Sequence, residues 1–207
     1  MTKYYGEQPD PHDRDAKDMN RVLAIVGSPR RNGNTHILVS KIAEGAKAKG
    51  ARVEELFLGD LTVTECDGCH RCWQDSVCSK NDDMLSIYPK ISQSDALIFG
   101  TPVYWYGPTG LMKLFVDRFV YFNSPANRDK IRGKSAVIAV PFEEETCETA
   151  GLLLEFFEKS LAYLEMKLVG KILVPGVSDK GDILQKPEIL KQAHELGQSL
   201  VLTAREF

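Results

Sequence analysis

The sequence predicts a doubly wound α/β fold, a parallel sheet with helices on both faces. Short apolar runs rich in β-branched residues recur along the chain, and most end at glycine or proline, as buried parallel strands do. Between them lie longer stretches whose apolar residues return at helical spacing. Strand and helix signals alternate throughout, with no internal repeat and no low-complexity tract.

The first strand is "RVLAIVG", Arg21 to Gly27. A turn-rich loop follows, and then a helix carrying Leu38, Ile42 and Ala46 on one stripe, closed by Gly50. "ARVEELFLG" is the second strand, with partial alternation. A cysteine-rich stretch comes next, and then "DDMLSIYPKISQSD", a helix whose regularity Pro89 should limit. "DALIFGTP" is the third strand. "GPTGLMKLFVDRFVYF" reads as one helix, with Leu111, Met112, Phe115, Val116 and Phe119 on its apolar face. "KSAVIAVP" and "KLVGKILVPGV" are the fourth and fifth strands. The helix between them, "AGLLLEFFEKSLAYLEM", is apolar round more than one stripe, as a deeply buried helix or one at a subunit interface would be. A last helix spans about Lys186 to Ala204, with Ile189, Ala193, Leu196 and Leu200 inward. Five such strands favour the flavodoxin-like order 2-1-3-4-5, in which ligands sit beyond the carboxyl ends of the strands, near the switch between the first and third.

Composition bounds the function. The chain has 207 residues, 43% hydrophobic and 27% charged, as a soluble globular domain does. A net charge of -3 and the lack of a basic stripe give no pull toward nucleic acid. No stretch approaches the roughly 20 apolar residues of a membrane span. Residues 1–19 read as a polar arm without a secretory h-region, suited to packing on a partner subunit, and residues 20–207 as one domain with a cysteine-rich insertion at 61–82. The expected compartment is the cytoplasm, where clustered cysteines more often mean metal or catalysis than disulfides.

Two loops carry the binding signal. "GSPRRNGNT" lies between a strand end and a helix start, where outward N–H groups and the helix dipole favour an anion. Ser28 and Thr35 offer hydroxyls, Asn32 and Asn34 amides, Arg30 a guanidinium, and Gly33 close approach of the backbone. It is neither a P-loop nor a dinucleotide fingerprint. The plainer alternative is a strand-to-helix turn with Asn34 or Thr35 as N-cap. "TPVYWYGPTG" follows the third strand and forms the other wall of the crevice. Its successive Tyr104, Trp105 and Tyr106 cannot all be core; they suit a flat conjugated ligand or a subunit interface.

Together, "GSPRRNGNT" and "GTPVYWYGPTGLMKLFVDRF" resemble the flavodoxin-like NAD(P)H-dependent FMN reductase family, over most of the chain from about Arg21 onward. The resemblance implies FMN, with its phosphate on Ser28, Arg30, Asn32, Asn34 and Thr35. It implies the isoalloxazine against Pro102, Val103, Tyr104, Trp105, Tyr106 and Gly107, and NAD(P)H as a possible electron donor. It also implies a homodimer or homotetramer. One departure is the loop after the fourth strand, "PFEEETCETAG", where relatives often carry glycines. Glu143, Glu144 and Glu145 would repel an anionic nicotinamide cofactor if they faced it; the expectation is a solvated loop pointing away.

"CDGCHRCWQDSVC" holds four of the five cysteines, Cys66, Cys69, Cys72 and Cys78, on the loop after the second strand. That loop opens on the same sheet edge as the other two. Three cysteines at steps of three let one chain wrap a compact cluster, with a fourth from further on, and Gly68 eases the turn. The pattern resembles the iron–sulfur flavoproteins, a branch of the same family, in which such a run ligates a 4Fe–4S cluster. Ser79 stands where ferredoxins carry proline. Zinc, a redox-sensing dithiol and a purely structural loop remain as rivals. His70 and Trp73 read as loop packing, Cys147 as a passive small hydrophobe, and His12, His36 and His194 show no constellation.

The implied function is an FMN-dependent redox flavoprotein passing electrons between a two-electron donor and a one-electron carrier of ferredoxin type. No protein side chain is needed as acid or base, because cofactors carry the chemistry. The alternatives are a cluster-free NAD(P)H-dependent reductase of quinones, nitro compounds or free flavin, and a thiol or zinc sensor on the same scaffold.

Overall fold

The structure, a computed structural model, describes residues 20–203; the polar arm lies outside them. Five strands form one all-parallel sheet in the order β2-β1-β3-β4-β5. They are β1 (Arg21–Val26), β2 (Arg52–Phe57), β3 (Ala96–Gly100), β4 (Ser135–Pro141) and β5 (Lys167–Val174). The helices are α1 (Asn34–Ala48), α2 (Arg71–Gln74), α3 (Met84–Gln93), α4 (Gly110–Asp117), α5 (Val120–Asn123), α6 (Gly151–Tyr163) and α7 (Pro187–Thr203).

The three central strands are covered on both faces, so their continuous apolar runs divide by alternation between two cores. Leu23 and Ile25 of β1 point to a core shared with α3, α4 and α6, while Val22, Ala24 and Val26 point to one shared with α1 and α7. The edge strands β2 and β5 are more exposed, which explains the partial alternation of "RVEELF". A bulge passes Val169 by, since Leu168 pairs with Ala136 and Gly170 with Val137. Helices α1 and α7 cross at bare backbone: a Cβ on Gly45 would lie 1.9 Å from the His194 carbonyl oxygen, and one on Gly197 as close to that of Ile42.

Three expectations change. Pro89 stands inside an unbroken α3; the acceptor it fails to serve is the carbonyl of Leu85, a residue 43% exposed, where water can replace it. The helix expected over "GPTGLMKLFVDRFVYF" is two, α4 and α5, separated by Arg118 and Phe119, whose N–H groups make i→i−3 bonds to Phe115 and Val116. The break lies where Arg118 turns its side chain into the interior, 1% exposed. Of the two alternatives for α6, deep burial does not hold: Leu153, Phe157 and Leu161 are buried, whereas Leu152 and Tyr163 are exposed.

Candidate functional site

The loops after β1 and β3 meet at the switch point and frame a crevice lined by Ser28, Arg30, Gly33, Asn34, Thr35, Pro102, Val103 and Tyr104. About 140 Å³ of it is open to the centre of a water molecule. Ser28 and Thr35 are buried, with Thr35 in the first turn of α1, where free N–H groups and the dipole favour an anion. The Arg30 N–H donates to Ser28 Oγ at 3.2 Å, curling the loop. Asn32, Trp105, Tyr106 and Gly107 stand outside this lining. Asn32 sits in the loop bend with φ +54. Trp105 and Tyr106, with φ +50 and +61, form the tip of a two-residue hairpin closed by paired bonds between Tyr104 and Gly107. Trp105 is 97% exposed, so the expectation that these aromatics leave the core holds.

Asn34 does not cap α1; Gly33 does, without a side-chain bond. The Asn34 amide instead donates to the Asp179 carbonyl at 2.8 Å and accepts from the N–H groups of Gly181 and Ile183. It ties down a third wall, residues 177–183, which puts Val177, Ser178 and Lys180 on the crevice. That wall has no motif; its one sequence signal is Asp182, which accepts from the N–H groups of Ser178 and Asp179. His36 also gains a constellation. Its Nδ1 accepts the Asn32 N–H at 3.0 Å, which puts the ring proton on Nε2, facing Glu55 Oε1 at 3.0 Å. The acidic loop is exposed, but it does not point wholly away: Glu143 lines the crevice, and Glu144 lies beside Val103, Trp105 and Tyr106.

The loop after β2 brings Cys66, Cys69, Cys72 and Cys78 onto one small pocket. All five cysteines are free thiols, and Cys147 is exposed rather than packed. Gly68 turns the loop at φ +70, and His70 and Ser76 adopt positive φ as well. His70 packs its edge on Trp73 as loop filling. Burial pushes the Cys72 thiol up, and the nearby Cys78 pushes it further. The inner wall is Tyr88, Arg118, Val120 and Tyr121, with Tyr88 stacked on Tyr121 at 4.0 Å between ring centroids.

Residues outside the cysteine motif hold this loop. Arg118 Nη1 pairs with Asp82 and donates to the Thr64 carbonyl at 2.9 Å, and Nη2 points at Cys78 Sγ at 3.2 Å. Asp82, 3% exposed, also accepts from the N–H and hydroxyl of Thr64 and the N–H of Met84. Burial pushes the Asp82 carboxyl up, but the Arg118 guanidinium and the Thr64 donors outweigh it and hold it at about 2. Buried Asn127 donates to the Ser76 carbonyl at 3.2 Å, pinning the far end. Sequence reading missed Arg118, Asp82 and Asn127; an arginine inside an otherwise apolar helical stripe was the available signal.

The donor set suits a soft metal group: four unpaired thiols on one pocket, one of them already receiving an N–H. Among the described residues, no three of His, Cys, Asp and Glu converge on a single ion position. The pocket that the thiols share with Tyr88 and Arg118 holds about 20 Å³ open to the centre of a water molecule, with Cys69 on its exposed side. Among the described residues, no helix is long and apolar enough to cross a membrane.

The comparisons with known proteins agree with this geometry. The family described as NADPH-dependent FMN reductase matches residues 20–172. An iron-sulfur flavoprotein of Archaeoglobus fulgidus is 31% identical over 163 residues, 79% of this chain and 80% of its own. A second from that organism is 29% identical over 181 residues, 87% of this chain and 78% of its own. The solved structure of the Trp repressor binding protein from Bacillus subtilis superposes with a TM-score of 0.65 at 26% identity, covering 86% of this chain and 98% of its own. Sheet order, crevice and cysteine run thus point the same way: this chain is an FMN-dependent oxidoreductase that belongs to the NADPH-dependent FMN reductase family, on its iron–sulfur flavoprotein branch.

Proposed function

We propose that this flavoprotein passes electrons between a two-electron donor and a one-electron carrier of ferredoxin type, through FMN in the crevice and a 4Fe–4S cluster on the cysteine loop. When bound, FMN exchanges electrons in pairs and the cluster exchanges them singly. The chain's own residues bind, orient and tune. Ser28, Thr35, Arg30 and the first turn of α1 offer donors and positive charge to a phosphate, with one N–H of Asn34 still free after its bond to Asp179. Pro102, Val103 and Tyr104 offer an apolar edge to a flat ring, and the hairpin tip at Trp105 and Tyr106 supports a reading in which a second subunit completes that wall as a homodimer or homotetramer. Cys66, Cys69, Cys72 and Cys78 supply the thiolates.

The observation that carries the proposal is the convergence of four free thiols on one pocket, at the same sheet edge as the crevice. The test is the visible spectrum of anaerobically purified protein, with iron and sulfide measured per flavin. Four irons and four sulfides per FMN are expected, and Cys69→Ser should remove the iron absorbance and leave FMN bound. A yellow protein without iron, oxidising NADPH rapidly, would instead establish the second reading: a cluster-free NAD(P)H-dependent reductase. That reading is favoured by the small open volume of the pocket that the thiols share. Glu143 on the crevice opposes it, since its charge repels an anionic nicotinamide cofactor.

A further inference from the structure

We infer that Arg118 is the residue that positions Cys78 and raises the reduction potential of the group the four cysteines hold. The inference rests on the cluster reading above, and it concerns a side chain outside the cysteine motif.

The guanidinium is 1% exposed and its two arms are divided. Nη1 serves Asp82 and the Thr64 carbonyl; Nη2 serves Cys78 Sγ at 3.2 Å. An ion pair built only for stability would engage Asp82 with both arms, the bidentate geometry that arginine favours. Here the second arm is spent on a sulfur. Asp82 offsets the guanidinium's charge only in part at the thiol: it bonds Nη1 and also accepts from Thr64 and Met84, while Nη2 alone reaches Cys78 Sγ. Arginine is the side chain for this task because it keeps its charge and all its donors throughout the working pH range.

The consequence follows from charge alone. An electron passed from reduced flavin to the cluster would add one negative charge there, with no bond formed or broken and no proton moved. A fixed cation and an N–H donor on a ligating sulfur stabilise that extra charge, and in a desolvated pocket they act at low dielectric. Arg118 therefore makes the cluster easier to reduce. Its place immediately after α4, the helix that follows the loop after β3, ties Cys78 to that element.

The test uses the full chain, purified and reconstituted without air, with iron, sulfide and FMN content and the cluster's midpoint potential read by redox titration of its EPR signal. Arg118→Met should load its cluster less completely and shift the midpoint to more negative potential. Arg118→Lys should shift it the same way by less, since the charge stays and the fork is lost. Asp82→Asn should shift it to more positive potential, because the opposing charge is gone. The flavin midpoint should stay in place. If Arg118→Met does not fold, the opposite signs of Arg118→Lys and Asp82→Asn decide. Full loading with an unchanged midpoint in all variants overturns the inference and leaves the cluster reading intact, as does a shift of the same sign in Asp82→Asn and Arg118→Lys. A wild-type chain that takes up no iron overturns both.

Discussion

The crevice and the cysteine pocket sit on the same sheet edge but are held in different ways. The crevice is bounded by loops that each run from a paired strand into a helix and are bonded along their length. Thr109 of the loop after β3 donates to the Gly27 carbonyl, its N–H donates to Thr101 Oγ1 at 3.1 Å, and Asn34 ties down the wall at 177–183. The cysteine loop has one turn of helix, at α2, and three residues of positive φ. It is secured largely through Asp82 at its own end and through Arg118 and Asn127, both distant in sequence. The openings differ in the same sense, about 140 Å³ against about 20 Å³. A site whose backbone is preset can accept a ligand as it stands, whereas a loop hung from a few side chains can close without its occupant and open around it.

The strongest way to break this contrast is Arg118→Ala. Removing one partner of a buried pair leaves Asp82 uncompensated, at a cost of about 3–5 kcal/mol. The variant should melt well below the parent, and a protease should cut the chain first between residues 61 and 82. A loss under about 1 kcal/mol would show that the loop does not depend on this anchor.

Acid sharpens the contrast. The folded Asp82 carboxyl lies at about 2, below its ordinary 3.8. A lowered carboxylate stabilises above its unfolded value and loses that contribution as pH falls through the folded one. The sum is about 2–3 kcal/mol, present above pH 4 and lost between about pH 4 and 2. Trp73, which is 44% exposed on this loop, should report the change by fluorescence before the fold melts as a whole. A loop signal that moves only with global unfolding would contradict it.

In the crevice the effects should be local. Ser28→Ala or Thr35→Ala removes one donor from a preset ring of donors. Each should weaken FMN about tenfold, close to 1.4 kcal/mol, with little change in melting temperature. A matching loss of stability would mean the crevice is no more preset than the cysteine loop.

The hairpin tip offers a gain. Trp105 and Tyr106 occupy positions that favour Asn-Gly, and left-handed backbone costs a bulky residue roughly 1–2 kcal/mol. Replacing the pair by Asn-Gly should stabilise the chain by about 1 kcal/mol and, on the oligomer reading, shift sedimentation toward the monomer. The smallest change is expected from Glu143→Gln, which should lower the KM for NADPH about twofold, as one exposed charge can.

Much of this molecule was legible without coordinates. Five strand runs, the central three buried, and their intervening helical periods imply the sheet order, because alternation and 3.6-residue spacing are local. The crevice residues Ser28 and Thr35 followed from their place at a strand end and a helix start. The cysteine run declared itself by spacing. Tertiary structure decided the rest. It split the expected long helix at Arg118, since that side chain finds its carboxylate 36 residues away at Asp82. It turned Asn34 from cap to strut, because the carbonyl it meets is 145 residues on, at Asp179. It brought Glu143 onto the crevice. Periodicity along a chain records which face of an element is buried. Which polar groups meet once those faces are packed depends on contacts between distant elements, and no short stretch of sequence contains them.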